Sequence, residues 1–94
     1  MAKWGTKGSG NGQFVSPKGL AIDGLGYIYI TDTGNSRIQK FDSNGNYITQ
    51  WGIEGSDDGQ LLYPEGIAVD GSGYVYVADT GNHRILIFGQ NKVE

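Results

Sequence analysis

Two aspartate–arginine pairs stand out for their spacing, with Asp32 five residues before Arg37 and Asp79 five residues before Arg84. At that distance an acid and a guanidinium can form a forked ion pair across a tight turn, and the carboxylate can also accept turn N–H groups. A ring of repeated carboxylates could instead gather a cation, because hard cations take oxygen ligands. The structural role is the favoured reading for Asp32 and Asp79. It extends to Asn35 and Asn82 within the same turns, and to Arg37 and Arg84, whose forks suit bridging a neighbouring turn better than holding an acidic partner.

His83 is the single histidine, and it stands in a turn, so it is read as a surface residue: a metal needs several convergent ligands. Asp42-Ser43-Asn44-Gly45-Asn46 faintly resembles a calcium loop, but its glycine comes too early and Ile53 occupies the twelfth place where an acid is needed. It reads as a hairpin turn. Gly8-Ser9-Gly10-Asn11-Gly12 lacks the Gly-Lys-Ser/Thr ending of a phosphate loop and no helix follows, so a flexible connection is expected. No cysteine is present, which excludes disulfides, thiolate metal sites and a cysteine nucleophile. No catalytic constellation, metal site or cofactor site is predicted. Tyr63 is the best exposed aromatic for a contact surface, with His83 beside it as a second candidate.

The elements that must position these residues follow from a repeat. Trp4 and Trp51, Pro17 and Pro64, Asp32 and Asp79, and Arg37 and Arg84 each lie 47 residues apart, without a gap. Residues 16–41 and 63–88 agree at more than half their positions, and several of the differences exchange one aliphatic side chain for another. A period of this length with several short strands per unit is that of a β-propeller blade. Four strands are predicted in the first unit, near 19–23, 27–32, 37–42 and 47–51, separated by turns that supply Gly or Asn where positive φ is needed. Gly19, Ala21, Gly66 and Ala68 suit an innermost strand crowded at a ring axis. Ile28 and Ile30 alternating with Tyr27 and Tyr29 suit a strand covered on both faces, and Trp4, Trp51, Phe41 and Phe88 are expected in the core.

The fold class predicted is therefore all-β: two four-stranded antiparallel propeller blades, with a first repeat unit over 1–50 and a second over 51–94. The 17 glycines against two prolines favour tight turns over helices. Each blade has two apolar faces and only one pair can meet within the chain, so self-association is expected. The register assigns 1–5 to an outer strand that completes a blade of a neighbouring chain. Head-to-tail closure predicts a homo-oligomer, six blades from three chains being favoured over eight from four. The length of two whole periods suggests a piece excised or designed from a longer multi-repeat protein. A net charge of −3 argues against nucleic acid as a partner. No apolar run is long enough to span a bilayer and no signal-peptide pattern occurs, so no membrane association is expected and the compartment stays undetermined.

The stretches Tyr29-Ile30-Thr31-Asp32-Thr33-Gly34-Asn35-Ser36-Arg37-Ile38 and Tyr76-Val77-Ala78-Asp79-Thr80-Gly81-Asn82-His83-Arg84-Ile85 resemble the signature of NHL repeats. Trp4-Gly5, Trp51-Gly52, Gly12-Gln13 and Gly59-Gln60 extend the match over essentially the whole chain, with Ser36 departing where the second copy has His83. The resemblance implies a six-bladed ring. It also implies a platform for protein or RNA, with a related branch of lyases acting on modified peptide ends. Such a lyase needs histidine metal ligands and a basic pair around the mouth, which this chain does not supply. The functional expectation is a self-assembling structural module without catalysis. A protein-, peptide- or glycan-binding platform is the alternative, and a remnant of a lyase-like enzyme the weaker one.

Overall fold

The computed structural model describes residues 3–89 and contains nine strands joined by turns. β1 (Thr6–Lys7) and β2 (Gln13–Phe14) form a short parallel pair. β3 (Pro17–Ile22), β4 (Ile28–Asp32), β5 (Arg37–Phe41) and β6 (Tyr47–Trp51) form an antiparallel four-stranded sheet in sequential order. β7 (Ile67–Val69), β8 (Val75–Asp79) and β9 (Arg84–Phe88) repeat the first three of these strands as a second antiparallel sheet. These are two blades, four-stranded and, among the described residues, three-stranded. No helix is long and apolar enough to cross a membrane among the described residues. Of the outer strand expected over 1–5, residues 3–5 are not in a strand within the chain, and Met1 and Ala2 lie outside the described residues.

Register fixes which side chains share a face, since neighbours across a ladder point the same way. In the first blade Leu20, Ile30 and Gln39 are aligned, as are Ile22, Ile28 and Phe41, making one face. Ala21, Tyr29 and Lys40, with Thr31 and Ile38, make the other. We call these the front and the back. In the second blade Ile67, Val69, Val75, Val77, Leu86 and Phe88 form the front, and Ala68, Tyr76, Ala78, Ile85 and Ile87 form the back.

The core is the joint where the back of the first blade meets the front of the second. Tyr29, Ile38, Leu61, Val75, Val77 and Phe88 are buried together there, with Tyr27, Trp51, Ile67, Val69 and Leu86 packed against them. Trp51 ends β6 and lays its ring edge-on to Phe88, with centroids 5.6 Å apart. Its indole N–H is buried without an acceptor. A second, smaller cluster of Phe14, Ile30 and Phe41 lies on the front of the first blade. Trp4 covers it, 4.7 Å from the Phe41 ring.

Crowding at the innermost strands explains the glycine in β3. A Cβ on Gly19 would run into the Glu65 carbonyl oxygen of the next blade. The space is taken by a hydrogen-bonded bridge instead: the Thr31 hydroxyl accepts the Gly19 N–H at 2.6 Å and donates to the Glu65 carbonyl at 2.8 Å. Thr33 adds a second tie, its hydroxyl donating to the Pro64 carbonyl at 2.5 Å.

Ile38 is fully buried in this joint, so Ile38→Ala removes apolar contacts that neither blade can replace by collapsing. A loss of about 2–5 kcal/mol is expected in urea unfolding. A loss under about 1 kcal/mol would mean the two blades do not support one another.

Candidate functional site

An antiparallel blade brings the turns β3–β4 and β5–β6 to one end, and the turn β4–β5 with the β6–β7 connection to the other. The second end holds every residue singled out by the sequence for chemistry or contact. At its centre are two aspartate clamps.

Asp32 ends β4 and its side chain is fully buried. The Val15 N–H donates to its Oδ1 at 2.8 Å, while Asn35, Arg37 and Gln39 all donate to its Oδ2. The Arg37 Nε lies 2.6 Å from that oxygen. Its remaining donors reach the Ser9 carbonyl, the Gln50 side chain, and the Gly10 and Gln13 carbonyls. All five N–H groups of the guanidinium are therefore used. The glycine-rich stretch expected to be a flexible connection is instead a shaped loop, because Arg37 holds the Ser9 and Gly10 carbonyls, Asn35 holds that of Gly8, and the Gln39 Oε1 accepts the Gly12 N–H. The ordering contacts span 24 to 28 residues.

Asp79 repeats the arrangement. Its Oδ1 accepts the Leu62 N–H at 2.7 Å, and its Oδ2 accepts Asn82 and the Arg84 Nε, each within 2.9 Å. Arg84 holds the Ser56, Asp57 and Gln60 carbonyls. Burial works against the charge on Asp79, yet the Leu62 N–H, Asn82 and Arg84 outweigh it and keep the carboxyl below its usual range. In neither clamp is an oxygen left facing a channel for a cation. Among the described residues no group of three His, Cys, Asp or Glu side chains could hold a metal ion.

His83 and Tyr63 sit at the same end but apart from this chemistry. His83 closes the turn Thr80–Asn82 in a left-handed conformation with its side chain exposed. Tyr63 is 54% exposed and also left-handed, at φ +50, a costly conformation for a bulky residue. Ser16 and Ser36, their counterparts one period away, adopt the same conformation. The backbone shape therefore belongs to the repeat, and only the exposed rings distinguish Tyr63 and His83. The Tyr63 N–H also approaches the Ser36 hydroxyl oxygen at 3.4 Å, tying the two blades at this end.

At the opposite end three aspartates cap the turns: Asp42 in the expected hairpin turn, and Asp23 and Asp70, whose capping role the sequence reading did not assign. Asp23 accepts the Leu25 and Tyr27 N–H groups and the Tyr29 hydroxyl. Asp70 repeats this with Ser72, Tyr74 and Tyr76, and Asp42 accepts Asn44 and Asn46. The Asn46 backbone and side-chain bonds lower the Asp42 carboxyl, and the Tyr74 N–H leads in lowering Asp70. Burial, then the bond to Asp23, raises the Tyr29 hydroxyl. The signal was an Asp followed by Gly within the next three positions, repeated between strands.

Removing one partner of a buried ion pair leaves the other uncompensated, so Asp32→Ala is expected to cost about 3–5 kcal/mol in urea unfolding. Asp79→Ala should cost less, because the Arg84 side chain is 28% exposed against 8% for Arg37. Equal losses would contradict the solvent-screening argument. Asp42, Asp70 and Asp79 are all lowered, so their contribution is complete above the unfolded carboxylate value near pH ~4 and is lost as pH falls through the folded values. Unfolding curves between pH 7 and pH 2 should show stability declining only on the acid side.

Residues 14–41 and 61–88 match the NHL repeat family. Among curated proteins, the B-box type zinc finger protein ncl-1 of Caenorhabditis elegans is 47% identical over 45 residues, covering 48% of this chain and 5% of that protein. The E3 ubiquitin-protein ligase TRIM71 of Rattus norvegicus is 48% identical over 47 residues, covering 50% of this chain and 6% of that protein. Protein brain tumor of Drosophila melanogaster is 42% identical over 45 residues, covering 48% of this chain and 4% of its own length. The matched part is thus a small fraction of each of these relatives. With two family matches that coincide with two blades, each carrying the same aspartate–arginine clamp, the chain belongs to the NHL repeat family.

Proposed function

We propose that the chain is a two-blade building unit that closes with copies of itself into a β-propeller, acting as a structural protein-binding module without chemistry of its own. The observation that carries this reading is the state of its two outer faces. Leu20 and Ile22 are 58% and 59% exposed on the front of the first blade, and Ile85 and Ile87 are 64% and 61% exposed on the back of the second. Apolar faces of this kind are stabilised at about 25 cal/mol per Å² when covered, and a ring covers both.

Three copies giving six blades is the favoured closure, with four copies the alternative. The β9 edge would take residues 1–5 of a neighbour as its fourth strand. Support comes from Trp4, which packs on Phe41 as Trp51, the last residue of β6, packs on Phe88. Trp4 thus meets the first blade as the end of β6 meets the second, which supports reading 1–5 as an outer strand. Pairing this edge would also remove a template for disordered association.

Family membership and the exposed rings of Tyr63 and His83 support a second aspect, that the ring engages a protein or peptide at the end carrying the β4–β5 turns. The relatives are far longer than the part they share with this chain, and one of them is a ubiquitin ligase by name.

Light scattering on a sizing column, over a range of concentrations, tests the assembly. A discrete species at three times the 10.1 kDa chain mass is expected. A species at four times that mass would move the reading to the larger ring, and a folded, soluble single chain would overturn it.

A further inference from the structure

Resting on that reading, we propose that the joint between copies repeats the joint within the chain residue by residue, with Tyr76, Ile85 and Ile87 seating the Leu20, Ile22, Ile28 and Ile30 face of a second copy.

The chain already contains one solved example of such a joint. Tyr29, Ile38 and Lys40 on the back of the first blade are buried against Ile67, Val69, Val75 and Val77 on the front of the second. The residues one period later on the open back are Tyr76, Ile85 and Ile87, and those one period earlier on the front are the exposed Leu20 and Ile22, with Ile28 half-buried and Ile30 buried against Phe14 and Phe41. Each open face is thus the repeat counterpart of a face that is covered within the chain. A groove of about 440 Å³ on the front, lined by Trp4, Phe14, Pro17, Leu20 and Ile30 together with Lys3 and Lys18, marks where the seat is incomplete.

The substitutions between the repeats give the second joint its own character. Ile22, Ile28 and Ile30 stand where the covered joint has Val69, Val75 and Val77, and Ile87 stands where it has Lys40. Three extra methylene groups and the loss of an ammonium add apolar area to the joint between copies, while Gln39 stands on its front where the covered joint has Leu86. Ala78 replaces Thr31, so the hydroxyl bridge to the next blade is lost, whereas Thr80 keeps the hydroxyl of Thr33 and would donate to the Pro17 carbonyl of a second copy as Thr33 donates to Pro64. By the same translation His83 falls beside Ser16 of that copy, as Ser36 lies beside Tyr63.

Lys40 is 8% exposed within its joint, its ammonium 4.4 Å from the Tyr27 ring centre. Tyr74 is the counterpart of Tyr27, so a lysine at position 87 has the same ring to lie over.

Variants of the full chain, compared with wild type by light scattering, separate the two levels of the argument. Ile85→Asp buries a carboxylate where Ile38 is fully covered and should reduce the species to single chains, or raise the dissociation constant at least 100-fold. Ile87→Lys should remain assembled, because it restores the residue of the covered joint. Leu25→Asp, at an 85% exposed turn residue away from both faces, should behave as wild type. Because Ile85→Asp can also impair folding, chains carrying Ser16→Cys and chains carrying His83→Cys are mixed and treated with a short bismaleimide, and a cross-linked pair is expected. Assembly that survives Ile85→Asp, that is lost in Leu25→Asp, or that gives no cross-link overturns this joint while leaving a wild-type oligomer intact. A wild-type single chain overturns both the joint and the reading beneath it.

Discussion

A blade is a sheet with two apolar faces, and everything distinctive in this chain follows from the need to cover both. An ordinary half-exposed sheet alternates apolar and polar residues. Here β4 carries Ile28 and Ile30 on one side and Tyr29 and Thr31 on the other, all but Ile28 buried. A strand of this composition is stable only between two neighbours. The first blade obtains them, the second blade on its back and the Trp4–Phe14 cap on part of its front. The cap is partial, and Leu20 and Ile22 remain open.

Covering faces requires that consecutive blades keep a fixed distance and tilt, and the polar end supplies that. The connection from β6 to β7 is anchored by the Asp79–Arg84 clamp, as the stretch before β3 is anchored by Asp32 and Arg37. Each carboxylate accepts an N–H from the stretch that leads into its own innermost strand, Val15 in one blade and Leu62 in the other, and each guanidinium gathers the carbonyls of the loop. A buried ion pair alone is a weak source of stability, since desolvation offsets the attraction. With five donors satisfied around Arg37, the pair instead organises a loop that has few side chains of its own to pack. A lysine, with three donors and no fork, could not replace it.

The strands were legible because both periodicities, alternation within a strand and 47 residues between blades, are written in residue types. Those predicted near 19–23, 27–32, 37–42 and 47–51 fall within two residues of β3 to β6 at each end. The pairing of Asp32 with Arg37 was legible from their spacing, since the two residues face one another across β4 and β5. The Val15 N–H as the other partner of Asp32 was not, because nothing local links positions 17 residues apart. For the same reason the order of the Gly8 to Gly12 loop was invisible: glycine composition reports freedom, while distant Arg37, Asn35 and Gln39 remove it. Turn-capping by Asp23 and Asp70 combines an ordinary local motif with a tyrosine on the facing strand, and only the strand register reveals that half.

Duplication by itself would make every joint alike, and a chain of identical joints has no preference for where one copy ends and the next begins. The differences between the two repeats are concentrated where they break that equivalence. Polar ties, the hydroxyls of Thr31 and Thr33, lie in the joint that the backbone already holds together, where attraction need not be strong and geometry matters. The faces that lie open carry Ile at 22, 28, 30 and 87 where the covered joint carries Val69, Val75, Val77 and Lys40, and Gln39 where it carries Leu86. Two near-identical repeats of 47 residues are thus not interchangeable, since one has its back covered within the chain and the other has its back open.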